Sequence, residues 1–297
     1  MSQSTIAWRT SCRGRGLHSG QEVGLVLEPA AADSGIVFVL RDRRRAGRRV
    51  EIPARVDAVR ETTRATTLAL VGDPAPDAPR VSTVEHLLAA ISAASIDNLR
   101  IEVEGDEIPG MDGSAAPFVE LLVRAGRIHQ PAPRGLLSLR RSCEVRRGDR
   151  WIRAEPASGL RVSYAIDFPH PLIGRQTFEL SDLDRAGFAR ELAPARTFGF
   201  AHEVEALRAS GLATGAGLDN ALVLDDAVLL NTSGTRWPDE FVRHKVVDLL
   251  GDLVLLGAPL HAHVHVEKGG HGLHHALVRA LCETPGLLER SDQIEAA

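Results

Sequence analysis

The sequence predicts an α+β protein of two similar domains, each a sheet packed on helices, clasping a zinc site at their interface. Three observations carry this. Both halves interleave strand-like alternation with amphipathic helices. Each half has a histidine on the polar face of a helix, followed by a strand ending near glycine: His86 before NLRIEVEG, and His244 before HAHVHVEKG. Between the halves, RIHQPAPRG has the polar, Pro-rich look of a linker and divides the chain into 1–128 and 134–297. If the two histidine helices meet, His86, His244 and Asp248 form a set of two imidazoles and one carboxylate. With a fourth position open, that is the catalytic form of a zinc site rather than the structural form.

Residues 1–60 read as strands and turns, from the alternation in EVGLVLEP and GIVFVL. His18 lies in the Gly-rich GRGLHSG and, from the residues alone, is a surface-loop histidine. A strand-like run follows at 62–71, then a DPAPDAP loop. VSTVEHLLAAISAAS (81–95) is a helix that Ser82 or Thr83 can cap, with Glu85 in its first turn. Val84, Leu87, Leu88 and Ile91 make its apolar stripe and His86 projects opposite. Glu85 and His86 read either as an exposed pair or as a base beside a metal ligand. A strand, a loop through PGMDGSAAP and a helix from about Ala116 complete the half.

The second half repeats the plan. Strands fit 136–146, 150–156 and 160–168, and helices fit 181–191 and 202–211. A strand fits GLDNALVLDD, followed by a hairpin or loop. In FVRHKVVDLLGD, Val242, Val246, Leu249, Leu250 and Leu253 form an apolar stripe. His244, Asp248 and Asp252 stack at i, i+4 and i+8 on the other side. That side reads as a solvated face or as a pair of metal ligands one turn apart. His261, His263 and His265 share one face of a strand and read as a packed or solvated face.

Composition narrows the class. A net charge of −4 gives no sign of a nucleic-acid partner, and Arg43, Arg44, Arg45, Arg48 and Arg49 read as a solvated loop. Cys12, Cys143 and Cys282 lack metal spacing and suit free thiols in a reducing compartment. MSQSTIAWRT has no apolar run for a signal peptide, and VVDLLGDLVLLGAPL is too short to span a bilayer; a cytoplasmic protein is expected. Of the 35 Lys+Arg only Lys245 and Lys268 are lysine, and both neighbour the histidine segments. Lys and Arg do not interchange at a tight site.

The blocks VSTVEHLLAAISAASIDNLRIEVEGDEIPGMDGSAAPFVELL, ARTFGF, EFVRHKVVDLLGDL and KGGHGLHHALV, with GRGLHSG, resemble the LpxC family, the UDP-3-O-acyl-N-acetylglucosamine deacetylases of lipid A biosynthesis. The likeness runs from about residue 5 to about 283. It implies two domains around Zn²⁺, a site that Fe²⁺ could also occupy, with His86, His244 and Asp248 as ligands. It further implies Glu85 as general base and His271 as the catalytic histidine. Asp252 would orient that histidine, Thr197 would lie near the developing oxyanion, and Lys245 would be a further charge. Phe168, Arg150, Lys268, Phe198 and His18 match substrate-binding positions, and 198–222 matches an acyl-chain passage. The implied substrate is a small-molecule UDP-acyl-sugar, acted on by a monomer. The sequence departs from the family at Arg64, Gly110 and His274, which bear on acyl preference. Two further readings use the same blocks: a paralogue acting on another N-acetylated sugar, and a non-catalytic binding protein. The complete set of Glu85, three ligands, Asp252 and His271 speaks against the last.

Overall fold

The computed structural model describes residues 1–42, 46–181 and 184–293. The first half contains strands β1 (Ser2–Ile6), β2 (Thr10–Arg15), β3 (Glu22–Pro29), β4 (Ile36–Asp42) and β5 (Arg48–Pro53). Three short strands follow, β6 (Val59–Glu61), β7 (Thr67–Ala69) and β8 (Arg80–Val81). Then come helix α1 (Glu85–Ala93), β9 (Leu99–Glu104) and helix α2 (Ala116–Ala125). The second half opens with β10 (Arg127–Leu139), β11 (Cys143–Arg147), β12 (Arg150–Pro156), β13 (Leu160–Phe168) and β14 (Gly174–Ser181). After α3 (Arg185–Gly187) come β15 (Phe198–Phe200), α4 (Val204–Ala209) and β16 (Leu222–Leu224). The half closes with α5 (Glu240–Leu253), β17 (Leu260–Glu267), α6 (His271–Glu283) and β18 (Leu288–Gln293).

The internal repeat is a repeat of topology. The first sheet runs β2-β3-β9-β4-β5, with β9 parallel to β4 and the other pairings antiparallel. The second contains β11-β12-β17-β13-β14, with β17 parallel to β13 and the other pairings antiparallel. In each half the strand after the histidine helix is the central one, and a further helix follows it. Each half also carries an insertion at the same place, between its fourth strand and its histidine helix. In the first half this is the β6–β8 sheet; in the second it is the segment from α3 to β16.

Both halves share one apolar core. Leu87, Leu88 and Ile91 of α1 and Val242, Val246 and Leu249 of α5 are fully buried, and α1 packs directly on α5. Gly251 permits this closeness: a Cβ there would lie 2.0 Å from the Glu85 carbonyl oxygen. Each fully buried leucine contributes about 1.5–3 kcal/mol relative to exposure.

Several expectations are corrected. Residues 127–135 are not a linker but the start of β10, which pairs antiparallel with β1 and joins the second sheet beside β17. Pro131 and Pro133 fall in a stretch that, among the described residues, pairs only with β1, at the edge of the sheet where proline is best tolerated. Arg48 and Arg49 lie on β5, and Arg49 reaches Glu102 at 2.9 Å. Arg43, Arg44 and Arg45 fall outside the described residues. Neither Ser82 nor Thr83 caps α1: Thr83 has a left-handed φ of 59° and its hydroxyl donates to Glu107 instead. GLDNALVLDD forms a strand only at Leu222–Leu224. The row on β17 is a half-buried strand face, with His263 Nε2 at 2.8 Å from Ser163 Oγ.

Candidate active site

The largest correction concerns the polar faces of the two histidine helices. Neither is wet. Glu85 is 2% exposed, His86 5%, His244 1% and Asp248 1%. The side chains do point away from the apolar stripes, as the spacing predicts, but the polar face of α1 is laid against that of α5, with α6 closing the side. An isolated helix could not reveal this, because the burying surface comes from the other half of the chain.

At the junction His86 Nε2 lies 3.5 Å and His244 Nε2 3.3 Å from Asp248 Oδ1, and that oxygen is buried with no hydrogen-bond partner among the described residues. His244 Nδ1 is 3.0 Å from the Ala195 carbonyl, which can only accept, so Nδ1 carries the proton and Nε2 presents a lone pair. Burial, only partly offset by Asp248, pushes His244 down to about 3 and keeps it neutral. A lone pair facing a carboxylate oxygen at 3.3 Å is repulsive unless a cation lies between them. The donor set, the orphaned oxygen and the fixed tautomer all fit a metal ion. Lys245 Nζ occupies the other oxygen of Asp248 at 2.9 Å. Burial alone would raise Asp248, but Lys245 and the imidazoles of His244 and His86 outweigh it and hold the carboxyl well below its usual range.

His271 begins α6 after Gly270, and its Nε2 faces the same space, 3.6 Å from Glu85 Oε1 and 3.8 Å from Asp248 Oδ2. Its Nδ1 is 2.8 Å from Asp252 Oδ2. Burial would lower His271, but Asp252, Glu85 and Asp248 prevail and raise it to about 9. Glu85 is raised, chiefly by burial.

The residues around Asp252 are the part that sequence reasoning missed. Thr66 Oγ1 donates to Asp252 Oδ1 at 2.6 Å, and His275 Nε2 lies 3.1 Å from the same oxygen. His274 Nδ1 is 2.8 Å from Oδ2, while its Nε2 meets Tyr164 OH at 2.9 Å. Thr66 also gives its backbone N–H to Glu85 Oε2 at 3.1 Å, so one residue touches both carboxylates. The signal for the histidines was present: His271, His274 and His275 at i, i+3 and i+4 share one face of a helix. Asp252, His271 and His275 also converge as metal ligands would. Here, however, the atoms bond to one another directly. The buried pair of Arg196 with Glu240, Nε to Oε1 at 2.9 Å, was missed too; it fixes the chain beside Thr197 to the first turn of α5.

A cavity of about 380 Å³ opens above these groups. Thr197, Phe168, Phe198, Arg150, Lys268 and His18 all line it, as do Arg147 and Arg64. Phe168 and Phe198 meet edge to face with centroids 5.5 Å apart, and Lys245 Nζ sits 5.4 Å from the Phe198 ring centre. Lys268 is held by Asp149 and Asp167 at 3.0 and 3.1 Å. His18 is not a free surface histidine: it is half-buried, and its backbone N–H donates to buried Glu107 at 2.8 Å.

Residues 3–283 match the family described as LpxC, UDP-3-O-acyl N-acetylglycosamine deacetylase. The chain belongs to this family. It is 50% identical to the UDP-3-O-acyl-N-acetylglucosamine deacetylase of Anaeromyxobacter sp. (strain Fw109-5), over 96% of this chain and 90% of that protein. The enzyme of the same name from Oleidesulfovibrio alaskensis is 47% identical over 100% of this chain and 94% of its own length. That of Myxococcus xanthus is 47% identical over 97% and 88%. LpxC proteins are two-domain α+β metalloenzymes, in keeping with the paired sheets and the His86, His244, Asp248 cluster. No helix among the described residues is long and apolar enough to cross a membrane.

Proposed function

We infer that this chain hydrolyses the acetamide of UDP-3-O-(3-hydroxyacyl)-N-acetylglucosamine in lipid A biosynthesis, giving UDP-3-O-acyl-glucosamine and acetate. The observation that carries the mechanism is the unpartnered Asp248 Oδ1 facing two imidazole nitrogens, within reach of a buried glutamate and a raised histidine.

In this reading His86, His244 and Asp248 hold Zn²⁺. The ion would supply Lewis acidity and make water nucleophilic near neutral pH. Glu85, with Oε2 held by the Thr66 N–H, takes the proton of the attacking water. The Thr197 hydroxyl, on a backbone fixed by its N–H to the Gly113 carbonyl at 2.8 Å, donates to the developing oxyanion. His271 enters protonated, since it is raised to about 9, and gives its Nε2 proton to the amine as the C–N bond breaks. Asp252 fixes that ring through Nδ1. Arg147, Arg150 and Lys268 give the cavity a basic rim suited to a diphosphate, and Phe168 and Phe198 give an apolar side.

We take the enzyme to act in the cytoplasm, where its three free cysteines stay reduced, and as a monomer, because both halves of the site come from one chain. The halves are read as domains of 1–128 and 134–297, with β1 reaching across to β10. The test is acetate release from UDP-3-O-acyl-N-acetylglucosamine, with and without a chelator. Chelator-sensitive release is expected. Release that a chelator leaves untouched, or none from metal-replete protein, overturns the reading.

A further inference from the structure

We propose that Arg64 and Glu203 form a latch joining the insertions of the two halves, which roofs the apolar side of the cleft and so selects the acyl chain. The inference rests on the deacetylase reading, since the acyl chain is the part of that substrate an apolar wall would recognise.

Arg64 lies between β6 and β7 in the first insertion, and Glu203 lies just before α4 in the second. Their side chains meet across the cleft, Nη2 to Oε1 at 3.1 Å, although 139 residues separate them. Arg64 has a φ of 67°, in the left-handed region that a non-glycine residue occupies only when its surroundings hold it there. The hold is visible two residues on, where Thr66 is bonded to both Glu85 and Asp252. The loop that presents Arg64 is therefore tied to the catalytic carboxylates.

Glu203 offers one oxygen to Arg64, while its Oε2 is buried without a partner among the described residues. Arg64 lines the cleft together with Leu17, Phe198 and Phe200, so its aliphatic stem continues an apolar wall while its charged head is taken up by Glu203. The far end of the second insertion is anchored differently. Thr214 N–H and hydroxyl donate to the His18 carbonyl at 3.0 and 2.6 Å, and Gly215 N–H donates to Leu17 at 3.1 Å. A Cβ on Gly215 would lie 2.0 Å from the Gly16 oxygen. One end is thus fixed through backbone. The other is fixed through a half-exposed ion pair, a weak contact that can open to admit a chain and close over it.

The test is equilibrium binding of UDP and of a UDP-3-O-acyl-glucosamine series of increasing chain length. It is measured calorimetrically on metal-loaded wild type, Arg64→Leu, Glu203→Gln and the exchanged pair R64E/E203R. The latch predicts that each single variant weakens the acylated ligands about tenfold and flattens the chain-length preference. UDP affinity should be unchanged, and the exchanged pair should recover most of the loss. An unaltered chain-length profile in both single variants overturns the proposal. So does equal weakening of UDP and acylated ligands, which would mark the pair as structural only. A wild type that binds UDP but no acylated sugar would sink the deacetylase reading instead. In that event a thermal double-mutant cycle still decides the latch, because additive melting shifts for Arg64→Leu and Glu203→Gln would show that no pair exists.

Discussion

The two sheets are built alike and used differently. Among the five strands that correspond, strand order, the one parallel pairing, the central strand and the place of insertion agree between the halves. The helices beside them do not carry equal chemistry. From the first half, α1 supplies Glu85 and His86 at its N-terminus. From the second, α5 supplies His244, Asp248 and Asp252 along one face, and α6 adds His271, His274 and His275. The helix that corresponds to α6, α2, has no histidine. One topology is used twice, while the proposed base and acid come from different halves and meet 3.6 Å apart at one cluster.

That division can be broken most severely from the second half. Asp248→Ala should empty the metal site and take acetate release to background, read by metal analysis and assay together; retention of metal would mean that α5 is not the principal holder. The first-half counterpart should behave otherwise. Glu85→Gln is expected to keep its metal and lose turnover by about 10²–10⁴-fold, because it removes a base and not a ligand. Loss of metal in that variant would erase the distinction between the halves.

The acid is tested by pH. On the proposed mechanism turnover needs Glu85 ionised and His271 protonated, so kcat/KM should fall below the raised glutamate value and again as pH rises through about 9. In His271→Gln the basic limb should vanish, with turnover lower by about 10²-fold. A basic limb that persists would assign it to another group.

How much of this was legible in the sequence differs by scale. The positions of α1, α2 and α5, their apolar stripes and the i, i+4, i+8 stack on α5 follow from spacing within one element, and the structure reproduces them. The helices expected at 181–191 and 202–211 shrink to short helical turns, and α6 is not among the predicted helices. The repeat was legible as well, and proved deeper than a histidine and a strand. What spacing could not supply was contact between the halves. The stacked polar face looked wet because its cover, α1, lies more than a hundred residues away. Thr66 looked like a strand residue, and its bonds to Glu85 and Asp252 exist only in the folded chain. The supposed linker failed for the same reason: its strand partners are β1 and β18, neither adjacent in sequence.

Smaller effects sharpen the comparison at the seam. Gly251→Ala would set a Cβ against the Glu85 carbonyl, force α1 and α5 apart and cost about 1–3 kcal/mol of stability. A lowered Tm with weakened metal binding is the expected result, and an unchanged Tm would mean that the helices have room to spare. The mildest change is His274→Asn. An amide can still donate to Asp252 but is too short to reach the buried Tyr164 hydroxyl as well, so stability should fall by about 1 kcal/mol with turnover near wild type. A large loss would give His274 a role that its contacts do not explain.

The most direct measurement is a titration of metal-free protein with Zn²⁺, following bound metal and acetate release in the same samples. If α1 and α5 clasp one catalytic ion, both signals rise together and level off at one ion per chain. Full activity before metal is added, or activity that climbs only with a second ion at Asp252, His271 and His275, would contradict the account.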